Sequence, residues 1–458
     1  MTSLLARPVS AVLGLVDRFV PQGALVLSIL TFGYFVMGQL RNRVLATTFG
    51  LSTDLDVYNL AFRIPEVALD ILVAAGLTAP FVPIFSSLRR SDREAANDFG
   101  RTVLTAAVLV MAVAMAVLAL AAPAIADVVA GDLDAASRAL YVDLLRINCL
   151  GQILFAASIT LGEVLIAHRR FFFYALAPIL YTSGIVVGTL IGAGALGIYA
   201  PALGAVGGAA VHLGIRAFGT RTRTDFRIRP RLRVRTAAFG EFVRLMLPRM
   251  LSYPIDPITL TYFGILALSF GAGNASALAF ADDYRVVPVS LIAAQFSLAV
   301  FPALSAAHAS GDRRAFRSIL ARNVATIGGL TLLAAVAVAV LAPIGIEILL
   351  GGGEFGAEDV ATTAGLLAAF AISIPLDSLT YPLSRGLYAT HNTVLQVIAS
   401  IAGFVTIVAV AQVLAPATGI LSIPLAYAAG SGVKVVLLAI FLFDRLRRLE
   451  RGETMPTG

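Results

Sequence analysis

Charged residues are scarce in this chain, and their scarcity excludes most soluble folds. Of 458 residues, 13% are charged and 59% are hydrophobic, whereas soluble globular proteins are about one quarter charged. A water-soluble core of this length has no use for so much apolar surface, so we expect the excess to face lipid. The composition therefore predicts an integral membrane protein and argues against a soluble enzyme.

Cysteine and histidine are also rare, which limits the chemistry of any site. The single cysteine, Cys149, excludes an intrachain disulfide and a cysteine-cluster metal site. The four histidines do not have metal-ligand spacing, and the chain has neither a phosphate-binding loop ending in Lys-Ser/Thr nor a dinucleotide fingerprint. We therefore expect no cofactor, no metal and no nucleic-acid partner. The energy for transport is expected to come from a gradient or from downhill movement of the substrate.

Long apolar runs predict an all-α fold with about twelve transmembrane helices. A helix needs about 20 apolar residues to cross the hydrocarbon region. The candidate spans are 23–45, 57–88, 102–129, 137–166, 172–195, 198–218, 240–270, 275–306, 317–350, 361–389, 393–414 and 418–443. Several contain an internal proline, which a membrane tolerates where a neighbour or a cavity satisfies the freed carbonyl.

Arginine placement predicts the orientation of these spans. Arginines follow every second candidate helix, as in the pair Arg89 and Arg90, the segment 221–235 and the pair Arg313 and Arg314. The alternate loops are nearly free of arginine, and the one at 351–359 is acidic. By the positive-inside rule, even-numbered helices end in the cytoplasm. We expect a multi-pass protein of the bacterial inner membrane with both termini cytoplasmic.

A basic segment divides the chain into two halves. The predicted domains are an N-lobe at 1–219 with helices one to six, a linker at 220–238, a C-lobe at 239–444 with helices seven to twelve, and a tail at 445–458. Two interpretations of the linker remain open. It lies on anionic headgroups, at about 1 kcal/mol per arginine, or it is an ordinary loop whose charge fixes orientation.

The two halves show a weak internal repeat. Residues 81–86 read Phe-Val-Pro-Ile-Phe-Ser and residues 300–305 read Val-Phe-Pro-Ala-Leu-Ser. An Asp-Arg pair follows each, at Asp92 and at Asp312, so matching residues of the two halves are about 220 positions apart. Six helices per half is an even number, which predicts parallel repeats about an axis along the membrane normal. Such lobes are expected to form pseudo-symmetric halves that expose a central site alternately to each side.

Ionisable residues inside the spans mark the candidate site, because each costs about 2.5–3.5 kcal/mol at the bilayer centre. Cations outnumber anions in the predicted inward-facing set, which favours an anionic cargo such as a phosphate or diphosphate, gripped bidentately by guanidinium groups. The candidate substrate-binding arginines are Arg41, Arg43, Arg63 and Arg285. The candidate ion-coupling residues are Asp70, Asp256, Asp283, Asp377 and Lys434, the only lysine.

Mutual neutralisation is the alternative interpretation for these charges. Asp282 and Arg285 are three residues apart and share a helix face, so they are expected to be able to pair. Lys434 is either a counter-ion for an acid such as Asp377 or a contact for substrate or ion. For each acid, mutual neutralisation and a role in ion coupling both remain open.

Motifs near helices one, two and eight resemble a known family. Residues 41–50 read Arg-Asn-Arg-Val-Leu-Ala-Thr-Thr-Phe-Gly, 56–65 read Asp-Val-Tyr-Asn-Leu-Ala-Phe-Arg-Ile-Pro, and 76–83 read Gly-Leu-Thr-Ala-Pro-Phe-Val-Pro. Together with 280–288 and 301–305, they resemble the MurJ/MviN lipid II flippases of the multidrug/oligosaccharidyl-lipid/polysaccharide exporter superfamily. The resemblance implies two six-helix lobes that move an undecaprenyl-diphosphate-linked peptidoglycan precursor outward by alternating access.

The resemblance also implies roles for individual residues. Arg41 corresponds to a cavity arginine of the family, and Asp56 to its helix-two acid. Three other family arginines are replaced here by Phe35, Leu69 and Asp283. The nearby cations expected to substitute for them are Arg43, Arg63 and Arg285.

Three functional hypotheses follow. The first is a lipid II flippase, whose partners are the lipid-linked anionic substrate, membrane lipids and cell-wall synthesis proteins. The second is a cation-coupled antiporter or polysaccharide-lipid exporter of the same superfamily, which needs a buried acid for coupling. The third is a membrane scaffold without transport activity, which a partner domain or a long soluble tail would favour.

Overall fold

The described residues of the computed structural model, 22–131, 133–252, 255–390 and 392–450, form helices joined by short connections. Seven helical stretches are long and apolar enough to cross a bilayer, and one of these, 394–448, covers two of the predicted spans. A bent pair, Ala357–Ala371 and Ser373–Ala389, joined at 43°, adds an eighth stretch. The predicted all-α polytopic fold is confirmed, and the helices fall at the positions of the twelve predicted spans.

The chain forms two compact units, which are described separately. Unit 1 combines Met1–Thr48 with Leu60–Pro254, and unit 2 combines Phe49–Asn59 with Ile255–Gly458. The first half of the chain contains α1 (Gln22–Phe49), α2 (Thr53–Leu69), a π-helical turn (Asp70–Ala74), α3 (Ala75–Ser91), α4 (Arg93–Val129), α5 (Ala135–Ala167), α6 (Phe171–Leu196), α7 (Tyr199–Arg223) and α8 (Ala237–Ser252).

The second half of the chain follows the same plan. It contains α9 (Ile255–Leu268), α10 (Asn274–Pro288), a second π-helical turn (Val289–Ala294), α11 (Gln295–Ala309), α12 (Arg313–Leu350), α13 (Ala357–Ala371), α14 (Ser373–Ala389), α15 (Val394–Thr418), a 3₁₀ turn (Gly419–Leu421) and α16 (Ser422–Glu450).

Two segments of the chain belong to other units than the predicted lobes would place them in: residues 239–254 belong to unit 1, and residues 49–59 belong to unit 2. Helix α8, predicted to open the C-lobe, packs in unit 1 against the helix that begins at Ala75. A Cβ on Gly76 would lie 2.3 Å from Cγ of Met246, so the missing side chain allows this close approach. Residues 49–59 instead join unit 2, where the backbone N–H of Leu51 donates to Asp359 (3.2 Å).

The basic linker packs against α4 within unit 1. The backbone N–H of Arg231 donates to Thr105 Oγ1 (3.0 Å), and Arg101 Nε donates to the carbonyl of Arg227 (2.9 Å). Asp98 accepts ion pairs at 2.9 Å from both Arg231 and Arg233. Linker charge is therefore partly neutralised by α4, a tertiary pairing that loop composition does not reveal.

The internal repeat is visible in the local structure of both halves. A π-helical turn interrupts the second span at Asp70–Ala74 and the eighth span at Val289–Ala294. A proline precedes each turn, at Pro65 and at Pro288, and proline removes one backbone donor from the helical ladder. The next helix in each half starts at an aspartate N-cap: Asp92 accepts two backbone N–H bonds and Asp312 accepts one.

A close helix crossing also recurs in each half. A Cβ on Gly184 of α6 would lie 2.6 Å from Cα of Gly208 in α7. In unit 2, a Cβ on Gly430 of α16 would lie 2.6 Å from the carbonyl oxygen of Gly403 in α15. Small residues at these points bring the backbones together, which is how helices associate without a hydrophobic drive in lipid.

Candidate functional site

A polar cavity of about 500 Å³ lies within unit 2. Its ionisable lining residues come from four helices: Asp256 from α9, Asp282 and Arg285 from α10, Asp377 and Arg385 from α14, and Lys434 from α16. Several tyrosine, serine, threonine and glutamine side chains complete the wall. This is the principal cluster of ionisable groups that the described part of the C-terminal half places around open space.

Helical spacing explains why α14 contributes most of the wall. Asp377, Tyr381, Ser384, Arg385 and Tyr388 lie at intervals of four, three, one and three residues, so they share one face. Another side of the helix carries Leu383 and Leu387, which are buried in an apolar cluster. The amphipathic pattern of this helix therefore directs its polar residues toward the cavity.

The Arg285 guanidinium lies at the centre of a buried ionic network. Its Nε donates to Asp282 Oδ1 (2.7 Å), its NH2 forms an ion pair with the same oxygen (2.7 Å), and its NH1 donates to Asp377 Oδ2 (2.9 Å). The Tyr427 hydroxyl also donates to Asp377 Oδ2 (3.1 Å), and the guanidinium stacks 4.3 Å from the Tyr427 ring centroid. Two carboxylates thus share one cation. The guanidinium also lies 5.5 Å from the ring centroid of Phe370.

Two further cations face the same cavity without a carboxylate partner. Arg385 makes no ion pair within the described residues, and its guanidinium lies 5.3 Å from the Phe301 ring centroid. Lys434 likewise has no ion pair among residues 22–131, 133–252, 255–390 and 392–450. Both side chains line the cavity, where an ammonium and a planar guanidinium can together bind an anion.

The structure brings together four of the predicted site residues. Arg285, Asp256, Asp377 and Lys434 all line the cavity. The predicted neutralisation of Arg285 by Asp282 is confirmed by their 2.7 Å contact. Of the two alternatives left open for Lys434, pairing with Asp377 is not the one seen, since Asp377 pairs with Arg285 in the described structure.

Two predicted residues of unit 2 lie away from the cavity wall. Asp283 is exposed, and it is not among the lining residues although its neighbour Asp282 is. Asp56 is fully buried, and its two carboxylate oxygens accept backbone N–H bonds from Gly273 and Ser276, both at 2.6 Å. Asp56 therefore caps the N-terminus of α10 across more than two hundred residues of sequence, a structural role.

The remaining predicted residues lie in unit 1. Arg41 donates to Oδ1 of the adjacent Asn42 at 3.1 and 2.7 Å and is half-buried. Arg63 and Asp70 are also half-buried, whereas Arg43 is exposed. Arg63 occupies a place in unit 1 like that of Arg285 in unit 2, because each follows an aromatic residue and precedes a proline and a π-helical turn.

Sequence reasoning passed over Arg385 and Tyr427 as site residues. Arg385 was detectable as an ionisable residue within a predicted span, the same signal that identified Lys434. Tyr427 had no such signal, because a tyrosine in an apolar helix is ordinary. Its contribution arises from the 3.1 Å contact with Asp377, fifty residues earlier in the chain.

The sequence profile of the family described as lipid II flippase MurJ matches residues 45–455, which is most of the chain. The chain belongs to the MurJ family. A relative from Thermotoga maritima, named as a probable lipid II flippase MurJ, is 26% identical over 368 residues, covering 80% of this chain and 74% of that protein. Motif residues Arg41 and Arg43 lie just outside the matched range. Family membership and the apolar helices together make this a multi-pass bacterial membrane protein.

Solved structures show that the fold is shared more widely than the family. A lipid II flippase MurJ in an inward closed conformation superposes with a TM-score of 0.77 at 20% identity, covering 94% of each chain. An inward-facing multidrug-resistance MATE transporter superposes equally well, with a TM-score of 0.78 at 14% identity, covering 92% of this chain and 96% of that one. The fold therefore does not separate a flippase from a drug exporter, and that distinction depends on sequence and on the chemistry of the site.

Proposed function

We propose that the protein flips lipid II, an undecaprenyl-diphosphate-linked peptidoglycan precursor, from the inner to the outer leaflet of the bacterial cytoplasmic membrane by alternating access. Membership of the MurJ family supports this substrate. The main structural support is the cavity in unit 2, which is lined by Arg385 and Lys434, and neither of them has a carboxylate partner within the described structure.

The diphosphate is the part of the substrate that this cavity binds. A diphosphate offers several anionic oxygens, which a guanidinium binds bidentately and an ammonium binds as a point charge. The volume of about 500 Å³ lies within the usual range for a small-molecule site, about 300–1,000 Å³. It suits the diphosphate with adjoining sugar atoms, while the isoprenoid chain stays in lipid.

Arg285 positions the wall of the cavity and does not grip the substrate directly. Its guanidinium is already shared by Asp282 and Asp377 at 2.7 and 2.9 Å. Removing a guanidinium from such a network leaves buried carboxylates uncompensated, which is strongly unfavourable. The direct contact therefore passes to Arg385 and Lys434, while Arg41, Arg43 and Arg63 remain predicted contacts in unit 1.

A cation-coupled antiporter is the second candidate function. Three carboxylates, Asp256, Asp282 and Asp377, line the same cavity, and one guanidinium binds only two of them. Such acids are suited to holding a proton or a metal cation during transport. A dye-efflux assay separates the candidates, because cation-driven efflux by the wild-type protein that is lost in Asp377→Asn would support the antiporter.

The flippase is tested with fluorescent lipid II in proteoliposomes. Arg385→Gln and Lys434→Gln each remove one charge-assisted contact, worth about 1.5–3 kcal/mol, so the initial flipping rate should fall by about 10- to 100-fold. Arg322→Gln is the matched control, because Arg322 is exposed on α12 and does not line the cavity. Wild-type rates in both cavity variants would remove the cation grip from the proposal.

The proposed orientation in the membrane rests on the arginines that follow every second predicted helix. Both termini lie in the cytoplasm, and the linker that docks on α4 lies on the cytoplasmic side. Cysteines introduced at Arg229 in the linker and at Glu354 in the acidic loop test this arrangement. Impermeant thiol reagents added outside spheroplasts should label only the second position.

A further inference from the structure

A second cavity, in unit 1, is lined by arginine and phenylalanine and does not belong to the site described above. It encloses about 510 Å³ where α5 ends, α6 begins and α7 ends. Three of its lining residues are Arg169, Arg170 and Arg223. Three consecutive phenylalanines at 171–173 and one residue of α1, Val26, complete it.

The charge of this cavity is uniformly positive. No carboxylate is among its lining residues, and none of its three arginines makes an ion pair within the described ranges of the chain. Asp225, the acid nearest to Arg223 in sequence, is bound by His168 (2.6 Å) and Arg89 (3.3 Å). An anion in this cavity would therefore meet three guanidinium groups without competition from a protein acid.

One arginine is held in place by the fold. Arg170 Nε donates to the backbone carbonyl of Arg223 (3.0 Å), which ties the start of α6 to the end of α7 and leaves both terminal nitrogens of Arg170 available. Arg170 is also the N-cap residue of α6, and its side chain makes no capping hydrogen bond. The first-turn N–H groups of α6 add partial positive charge on the same side.

The surroundings of the cavity are those of a membrane surface. Helices α5, α6 and α7 are all long and apolar enough to span a bilayer, so their shared end lies at the headgroup level. Phe172 is half exposed there, and an apolar strip with Leu190 and Ile191 is exposed farther along α6. Val26 continues on α1 into the exposed Ile29 and Phe32. An acyl chain therefore has apolar surface next to the cationic cavity.

We propose that this cavity binds the phosphodiester headgroup of an anionic glycerophospholipid, with the acyl chains lying along the exposed faces of α1 and α6. Basic pockets between transmembrane helices are suited to such headgroups. Each arginine near an anionic membrane surface raises the affinity for the lipid by about fivefold. The bound lipid would tie the α5–α6 turn to the end of α7. The inference does not depend on the proposed flipping of lipid II.

The absence of tryptophan from the chain permits a direct test. Phe172→Trp places a single fluorophore at the cavity, and Leu190→Trp places one on the same helix far from it. Each protein is reconstituted into vesicles that carry brominated phosphatidylglycerol or brominated phosphatidylcholine. We expect brominated phosphatidylglycerol to quench Phe172→Trp several-fold more efficiently than brominated phosphatidylcholine, while Leu190→Trp shows no preference. Equal ratios at the two positions would overturn the proposal.

Charge variants identify the residues responsible. In the Phe172→Trp background, Arg169→Gln with Arg223→Gln should lower the affinity of the cavity for phosphatidylglycerol by about 25-fold, which abolishes the several-fold quenching preference. The matched control is Arg229→Gln with Arg314→Gln, which removes the same charge from exposed arginines outside the cavity and should leave the preference intact. Lysine at both cavity positions should retain most of it, which separates lost charge from lost folding.

A final arm separates a lipid site from a free-phosphate site. Sodium phosphate is titrated against sodium chloride at equal ionic strength, and quenching by brominated phosphatidylglycerol is followed. A lipid site predicts the same quenching in both salts. Displacement of the lipid by millimolar phosphate would overturn the proposal, because the cavity would then be a site for the free anion.

Discussion

Replacing Arg285 by methionine should destabilise unit 2 more than any exposed charge substitution. Methionine keeps much of the apolar stem and removes the guanidinium. The Arg285 side chain is only 4% exposed, and its partners Asp282 and Asp377 are 16% and 20% exposed. The substitution therefore leaves two largely buried carboxylates close together without a cation.

The size of the effect follows from this burial. An exposed ion pair contributes about 0–1 kcal/mol, whereas breaking a buried pair by removing one partner costs about 3–5 kcal/mol. The two carboxylates keep some solvent through the cavity, so we expect a loss at the lower end, about 3 kcal/mol. The ring contacts with Tyr427 and Phe370 do not offset it, because the methionine stem makes only dispersion contacts there.

The assay is chemical unfolding in mixed micelles, with a compensating variant beside the single one. Asp282→Asn with Asp377→Asn, added to Arg285→Met, removes the unpaired charges and should recover most of the lost free energy of unfolding. If Arg285→Met lowers the free energy of unfolding by less than about 1 kcal/mol, the network contributes no more than an exposed ion pair, and the reasoning from burial is refuted. A triple variant as unstable as the single one would show that charge is not the cause.

Three further predictions concern packing, capping and pH. Gly184→Ala should destabilise the α6–α7 crossing by about 2 kcal/mol or more, because a Cβ there would meet backbone at 2.6 Å, whereas Gly207→Ala, with open space around it, should be neutral or slightly stabilising in the same thermal melt. Asp312→Ala should cost about 1 kcal/mol by loss of the N-cap of α12 in chemical unfolding, and Asp312→Asn should recover most of it. The pKa of Asp225 lies below its ordinary value, because partial burial raises it but hydrogen bonds from His168 and Arg89 outweigh that effect. The contacts that tie this linker residue to His168 and Arg89 should therefore persist at neutral pH and weaken as the pH falls below about 4. The weakening should appear as faster hydrogen exchange of linker amides, a change that Asp225→Asn should abolish.

Much of the fold was predictable because it depends on local pattern. Apolar length predicted the spans, and the matching Asp-Arg pairs at Asp92 and Asp312 predicted the internal repeat, although not that each aspartate caps a helix. The π-helical turns were not predictable, since a proline such as Pro65 indicates a disturbed ladder without specifying its form. The docking of the linker on Asp98 was also missed, because loop composition does not indicate which acid a cation will meet.

The candidate site was predictable residue by residue but not as an arrangement. Charge inside a span identified Arg285, Asp377 and Lys434 correctly as cavity residues. Periodicity also gave the Asp282 and Arg285 pair, which share one helix. The pairing of Arg285 with Asp377 spans 92 residues, and helical periodicity tells which face a residue occupies but not which helix lies opposite. This is why the interpretation of Lys434 stayed open between a counter-ion for an acid and a contact for substrate or ion.

We propose above that the unit 2 cavity binds the diphosphate of lipid II. Cysteine protection tests it most directly: in a Cys149→Ser background, Gln396→Cys places a thiol in the cavity wall and Ser310→Cys places one on an exposed loop. Lipid II should slow the reaction of the cavity thiol with a methanethiosulfonate reagent and leave the loop thiol unaffected. Unchanged reactivity of the cavity thiol at saturating lipid II would contradict it.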